Sequence, residues 1–173
     1  MHGNRDFLLG HEYAERCGAT ILDDHHLIKM GEEKLLLLHG DTLCTDDQDY
    51  QRFRALVRNS SWQKDFLSKS IKERIKFASQ AREKSRLETS SKSELIMDVN
   101  HEAVLELFHK HSVLKILHGH THRPAIHDLK ITTNEAQLQV AQRIVLGDWN
   151  KRGWWAELKE NSLILQSFSL SPR

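Results

Sequence analysis

No stretch of this chain is apolar for the about 18 residues that a membrane-spanning helix needs. Its first residues also lack the basic and apolar regions of a signal peptide. The expectation is a protein that does not cross a membrane. Cysteine is scarce: Cys17 and Cys44 are the only two in 173 residues and form no CxxC pair. That excludes a disulfide scaffold and a cysteine-built zinc knuckle, and it suits a reducing, cytosolic compartment. Charge of one sign is not in excess, since 25 Lys+Arg stand against 24 Asp+Glu for a net of +1. Attraction to anions must then come from local clustering. No internal repeat and no linker-like stretch divides the chain, so a single domain over 1–173 is expected; 39% hydrophobic with 28% charged residues is ordinary for a soluble globular protein.

Histidine is the residue that is present in a pattern. His118-Gly119-His120-Thr121-His122-Arg123-Pro124 follows an apolar, strand-like run at 113–117. In an extended chain three rings at alternate positions leave on one side. Gly119 lets backbone pass close to a neighbour, and Pro124 discourages a helix before it. Neutral imidazole is the commonest protein metal ligand, so this reads as a metal-binding strand end, against the plainer reading of a histidine-rich strand without a ligand. His39-Gly40-Asp41 repeats the theme after Leu35-Leu36-Leu37-Leu38, a run that reads as a strand buried on both faces.

The remaining elements follow from periodicity. A short helix is expected at 11–17, ended by Gly18, then a hairpin of strands at 25–30 and 34–39. Residues 46–86 read as helical, with Tyr50, Phe53, Leu56 and Val57 on one face and Trp62, Phe66, Leu67, Ile71 and Ile75 beyond them. Residues 58–92 hold ten Lys+Arg against four acids. That basic amphipathic region reads as a solvated helical face, as a cap facing anionic lipid, or, more weakly, as a nucleic-acid surface. A helix at 100–110 leads into the 113–117 strand. A β meander at 125–132, 140–146, 154–159 and 162–168 closes the chain. Ser85, Thr89 and Lys92 would share a face at i, i+4 and i+7 of a helix, and the serines at 90, 91 and 93 leave open whether a regular helix continues there.

Asn4, His39, His120 and His122 each lie at or just after a predicted strand, which pools them into one site. Imidazole and amide oxygen suit manganese, iron or zinc. Two such ions about 3.5–4 Å apart can activate a water and neutralise a phosphoryl group.

Gly3-Asn4-Arg5-Asp6, His39-Gly40-Asp41-Thr42 and Gly119-His120-Thr121-His122 occur in the order and spacing of the calcineurin-like metallophosphoesterases, and the chain resembles that family over essentially its whole length. Longer strings are similar to the members that hydrolyse UDP-2,3-diacylglucosamine in bacterial lipid A synthesis: His2 through Leu8, Leu38 through Asp47, Ser91-Lys92-Ser93, Ile96 through Asn100 and His118 through Pro124. The resemblance implies an α/β fold of the α-β-β-α sandwich type with a helical cap at about 46–92. It implies a diphosphate substrate cleaved to 2,3-diacylglucosamine 1-phosphate and UMP, two Mn2+ ions, and a peripheral place on the anionic cytoplasmic face of the inner membrane, with no nucleic acid.

By matched position, Asn4, His39, His120 and His122 are implied metal ligands. Asn4, Arg5, Asp47, Ser85, Thr89, Lys92 and His120 are implied substrate contacts. Arg5 stands where many members carry a histidine, which implies a phosphate clamp instead of a proton donor. Each contact has a plainer reading: Asp47 as a helix cap, Ser85 and Thr89 as solvent-facing, Lys92 as a surface charge. His118 is expected to orient a ligand without being one. The family pattern opens with Asp-x-His and Gly-Asp strand ends, and neither precedes Gly3. Asp23-Asp24-His25 spells the first out of order. The expectation is an N-terminally incomplete sandwich with impaired catalysis, with two alternatives: a non-catalytic module on the same fold, or a phosphodiesterase acting on nucleic acid.

Overall fold

The computed structural model describes residues 1–91, 96–159 and 162–170, with backbone alone at 88–91. At its centre β1 (His25–Met30) and β2 (Glu33–Leu38) form an antiparallel hairpin. Gly31 turns the hairpin at φ +63, a left-handed conformation open to glycine at no steric cost. β2 continues in parallel against β3 (Lys115–His118), and β3 in parallel against β5 (Leu138–Val145). β4 (Ala125–Thr132) pairs antiparallel with β5 at the far edge, giving the order β1-β2-β3-β5-β4. β2, β3 and β5 therefore end on one rim. Ligands of parallel sheets bind beyond such carboxyl ends, and His39 and His118 both lie there.

Each face of this sheet is covered by a different partner. The helix His101–His111 (α5 in chain order) packs Val104, Leu107 and Phe108 onto Leu36, Leu38, Ile116, Ile131 and Ala141. It starts where the Asn100 side chain accepts the Ala103 N–H, a cap worth about 1 kcal/mol. The opposite face packs Met30, Leu35 and Ile144 against Leu163. Leu163 belongs to the hairpin of β6 (Arg152–Lys159) and β7 (Ser162–Ser169). Helix, five-stranded sheet and hairpin thus stack as α-β-β layers, in keeping with the expected α/β sandwich.

The closing meander is a correction. β4 and β5 join the main sheet while β6 and β7 form a separate two-stranded one. A period of two identifies a strand but does not choose its partner, and here β5 takes an interior place beside β3.

The helical region holds three helices: α2 (Gln48–Val57), α3 (Ser60–Ser68) and α4 (Ile71–Ser91). Before them lies α1 (His11–Arg16), with Gly18 at φ +65 after its end as expected. Caps mark each start. Asp47 accepts from Tyr50 N and Asn59 from Trp62 N. Ser70 and Glu73 bond reciprocally as a capping box before α4. α4 runs on through Ser90 and Ser91, where the sequence left the helix open, because the helix is already established when the serines arrive and each costs it only tenths of a kcal/mol. Trp62, Phe66 and Phe77 pack ring to ring at 4.9 to 5.6 Å. By contrast Leu67, Ile71, Ile75 and Leu87 stay exposed, Ile71 at 68%. No helix among the described residues is long and apolar enough to cross a membrane.

Candidate active site

The rim is tied together by backbone before any side chain acts. Gly119 N–H donates to the His39 carbonyl at 2.9 Å, and Leu146 N–H to the His118 carbonyl at 2.8 Å. Strand ends β2, β3 and β5 are thereby cross-linked. Beyond His118 the chain leaves the extended conformation. His120 and His122 adopt φ of +67 and +56, and Thr121 N–H closes back on the Gly119 carbonyl at 2.8 Å. The three rings therefore do not leave one side of a strand: His118 is buried at 1% exposure, His120 is half-buried and His122 is exposed. Left-handed turns escape sequence periodicity, which assumes a continuing element.

His39 and His120 are brought together, with ring centroids 4.9 Å apart edge to face. The Tyr50 ring lies 5.7 Å from His120 on another side. Gly3 closes the approach to His39: a Cβ on Gly3 would stand 2.9 Å from His39 Nε2, so this nitrogen faces the Gly3-Asn4 segment across a gap that only glycine leaves open. Arg58 holds that segment in place by donating to the Gly3 carbonyl at 3.1 Å. One cation of the basic region thus serves the N-terminal motif.

Behind His39 sits Asp41, buried at 2% exposure. Its Oδ1 lies 3.1 Å from His39 Nδ1, at ion-pair range but off the line of a formed hydrogen bond. Its Oδ2 accepts from the Tyr50 hydroxyl at 2.7 Å and from Arg54 Nε at 2.9 Å. Burial by itself would raise this carboxyl. The imidazole, the phenol and the guanidinium outweigh it and hold Asp41 well below the usual carboxylate range, while burial and the same contact push Tyr50 up. A carboxylate behind one imidazole nitrogen fixes the ring and leaves the other nitrogen for a ligand.

His120 is pushed down to about 4, by burial first and by His39 next, so it stays neutral at pH 7 with a free lone pair. His118 is likewise pushed down to about 4 by burial. Its Nδ1 donates to the Gly119 carbonyl at 2.9 Å and its Nε2 accepts from Arg143 Nη1 at 3.1 Å. Both nitrogens are therefore engaged within the protein.

The other expected residues are less gathered. Asn4 is half-buried beside Gly3, and Arg5 is exposed. Asp47 caps α2, its plainer reading, while its charge also reaches His120. Ser85 is half-buried on α4; the Thr89 side chain and Lys92 lie outside the described residues. Among the described residues no three His, Cys, Asp or Glu side chains form a group that could hold a metal ion. A cavity of about 270 Å³ lined by Phe108, His109, Ser112, Ile131 and Asn134 lies at the start of β3, and neither His39 nor His120 lines it.

No protein-family model matches the chain. A UDP-2,3-diacylglucosamine hydrolase of Marinobacter nauticus is 47% identical over 161 residues, covering 93% of this chain and 64% of that protein. Proteins of the same name from Yersinia pestis and Yersinia pseudotuberculosis are 45% identical over 168 residues, covering 97% of this chain and 68% of theirs. The chain belongs to the UDP-2,3-diacylglucosamine hydrolase family. It spans about two thirds of the length of these relatives.

Within this hydrolase-family fold, sequence reading found the residues at the strand ends and missed those behind them. Tyr50 and Arg54 lie four apart on α2 and meet on Asp41. Their spacing was a readable signal for one helix face, but the shared partner was not. Asp98 and Arg143 were also missed. Asp98 bonds Arg123 at 2.6 Å and Arg143 bonds His118, joining segments that are far apart in sequence.

Proposed function

We propose that this chain carries the hydrolysis of the diphosphate of UDP-2,3-diacylglucosamine, yielding 2,3-diacylglucosamine 1-phosphate and UMP in lipid A biosynthesis. The observation that carries the reading is identity of 45–47% over 93–97% of the chain to proteins named for that hydrolysis. The His39 and His120 pair brought together at the sheet rim supports it.

A divalent cation, with Mn2+ as the choice, fits part of the donor set. His39 is backed by Asp41 and presents Nε2 toward Gly3; His120 is neutral and 4.9 Å away ring to ring. His39, His120, His122 and Asn4 would hold it, and two ions per site is the family expectation. When bound, such ions supply charge neutralisation at phosphoryl oxygens and acidify a water. Asn4, Arg5, Asp47, Ser85, Thr89, Lys92 and His120 are the substrate contacts in this reading, with Arg5 as a phosphate clamp. The test is UMP release from UDP-2,3-diacylglucosamine with and without added Mn2+, beside an oligonucleotide phosphodiester. Expected is Mn2+-dependent UMP release with no oligonucleotide cleavage. Cleavage of the oligonucleotide alone would replace this reading with the nucleic-acid one.

The helices at about 46–92 form a cap on the single domain in this proposal, and the cap meets the anionic cytoplasmic face of the inner membrane. Exposed Ile71, Ile75 and Leu87 interspersed with Lys69, Lys72 and Lys76 on α4 and its approach support that. Binding to vesicles containing anionic phosphatidylglycerol should exceed binding to neutral phosphatidylcholine vesicles at least several-fold and weaken with salt. Equal, salt-independent partitioning would make the lysines a solvated face only.

A further inference from the structure

We infer that Arg143 is a positioning residue: its guanidinium holds the His118 ring in one tautomer and one orientation, and through Gly119 sets the turn that carries His120 and His122. The inference rests on the proposed metal-donor role of those histidines.

The placement follows from register. Arg143 lies on β5 opposite Ile116 of β3, and His118 lies opposite Val145, so Arg143 and His118 point to the same sheet face two residues apart along neighbouring strands. That face is the one α5 covers, where Ile116 and Ala141 are fully buried. A charged arginine among them needs polar partners. His118 Nε2 is one, at 3.1 Å, and the charge of Asp98 just ahead of α5 is another. Asp98 also accepts from Arg123 Nη1 at 2.6 Å, immediately after His122. Both ends of the histidine loop are therefore tied to one carboxylate, directly through Arg123 and electrostatically through Arg143.

The donor pattern admits one tautomer. An arginine nitrogen only donates, so Nε2 must accept and carry no proton; the Gly119 carbonyl only accepts, so Nδ1 must carry it. The ring edge at Nδ1 is also pressed against Gly40, which sits at φ +113 with its Cβ position 2.7 Å from that nitrogen. His118 is thus wedged between Gly40 and Arg143, and the Gly119 carbonyl that it fixes also receives the Thr121 N–H. The left-handed backbone of His120 follows from a carbonyl held by two donors. Partners behind metal-binding side chains typically change metal affinity by about 10–100-fold when lost.

The experiment labels histidine with 15N and reads the His118 tautomer by long-range 1H–15N correlation in the metal-free chain, with His118→Gln for assignment. Mn2+ affinity is read in parallel by electron paramagnetic resonance. Wild type should show His118 protonated on Nδ1. Arg143→Met, which keeps length and removes the donors, should populate the Nε2-protonated form and weaken Mn2+ binding about 10-fold or more. Arg143→Lys should restore the tautomer and most of the affinity, which a purely space-filling role would not require. A wild-type His118 protonated on Nε2 overturns the inference whether or not Arg143→Met folds. So does a folded Arg143→Met chain with either the tautomer or the affinity unchanged. A wild type that binds no Mn2+ sinks the metal-donor role and this inference with it; a wild type that binds Mn2+ while Arg143→Met leaves the tautomer untouched sinks the inference alone.

Discussion

Asp41→Ala should lower the stability of the chain by about 3–5 kcal/mol, the range found when one partner of a buried ion pair is removed. The carboxylate is 2% exposed and accepts from the Tyr50 hydroxyl and Arg54 Nε, so its loss takes the acceptor from a half-buried phenol and from a half-buried guanidinium. Arg54 keeps only the exposed Asp24 as a described carboxylate partner. Asp49, paired with Arg52 on the surface of α2, is the comparison: Asp49→Ala should stay within about 1 kcal/mol, because solvent screens exposed pairs. Urea denaturation at pH 7 measures both. The sign with pH follows from the depressed carboxyl: its stabilisation is present above the ordinary carboxylate pKa of about 3.9 and is lost only as pH falls through the still lower folded value. The gap between wild type and Asp41→Asn should accordingly persist from neutral pH into mild acid. Equal losses for Asp41→Ala and Asp49→Ala would show that the buried contacts around Asp41 do not hold the strand end.

His120→Ala should reduce Mn2+-dependent UMP release by on the order of 10²–10³-fold, the scale of losing one preorganised electrostatic group. His39→Ala should do the same. The reason is geometric: the two imidazoles are the close pair at the rim, one neutral because it is buried and the other held from behind by Asp41. The His39 bond to Gly119 is made by backbone and survives truncation of the side chain, so stability should fall far less than for Asp41→Ala. His109→Ala, an exposed side chain on α5, is the control and should leave the rate unchanged. Steady-state UMP release together with Mn2+ titration separates the two effects. Unchanged turnover and Mn2+ affinity in His120→Ala would remove this pair from the reaction.

What the sequence determined by itself was whatever depends on neighbours in the chain. The period of two located β1 and β4 with the bounds they have, and Asn100 marked the start of α5 because a cap is a bond between residues three apart. Leu35 to Leu38 read as a buried strand because burial on both faces needs an unbroken apolar run. The Gly3-Asn4, His39-Gly40-Asp41 and His120-Thr121-His122 motifs marked candidate residues through the resemblance they carry, and the fold brings His39 and His120 together. Tertiary structure alone decided what joins distant segments. It turned His120 and His122 out of the strand through bonds at Gly119, and put Tyr50 and Arg54 on Asp41. It also inserted β5 beside β3, which split the closing strands between two sheets and brought Arg143 to His118. A hydrogen bond between residues 25 apart, such as that last one, has no period to betray it, because it exists only once two strands have chosen each other.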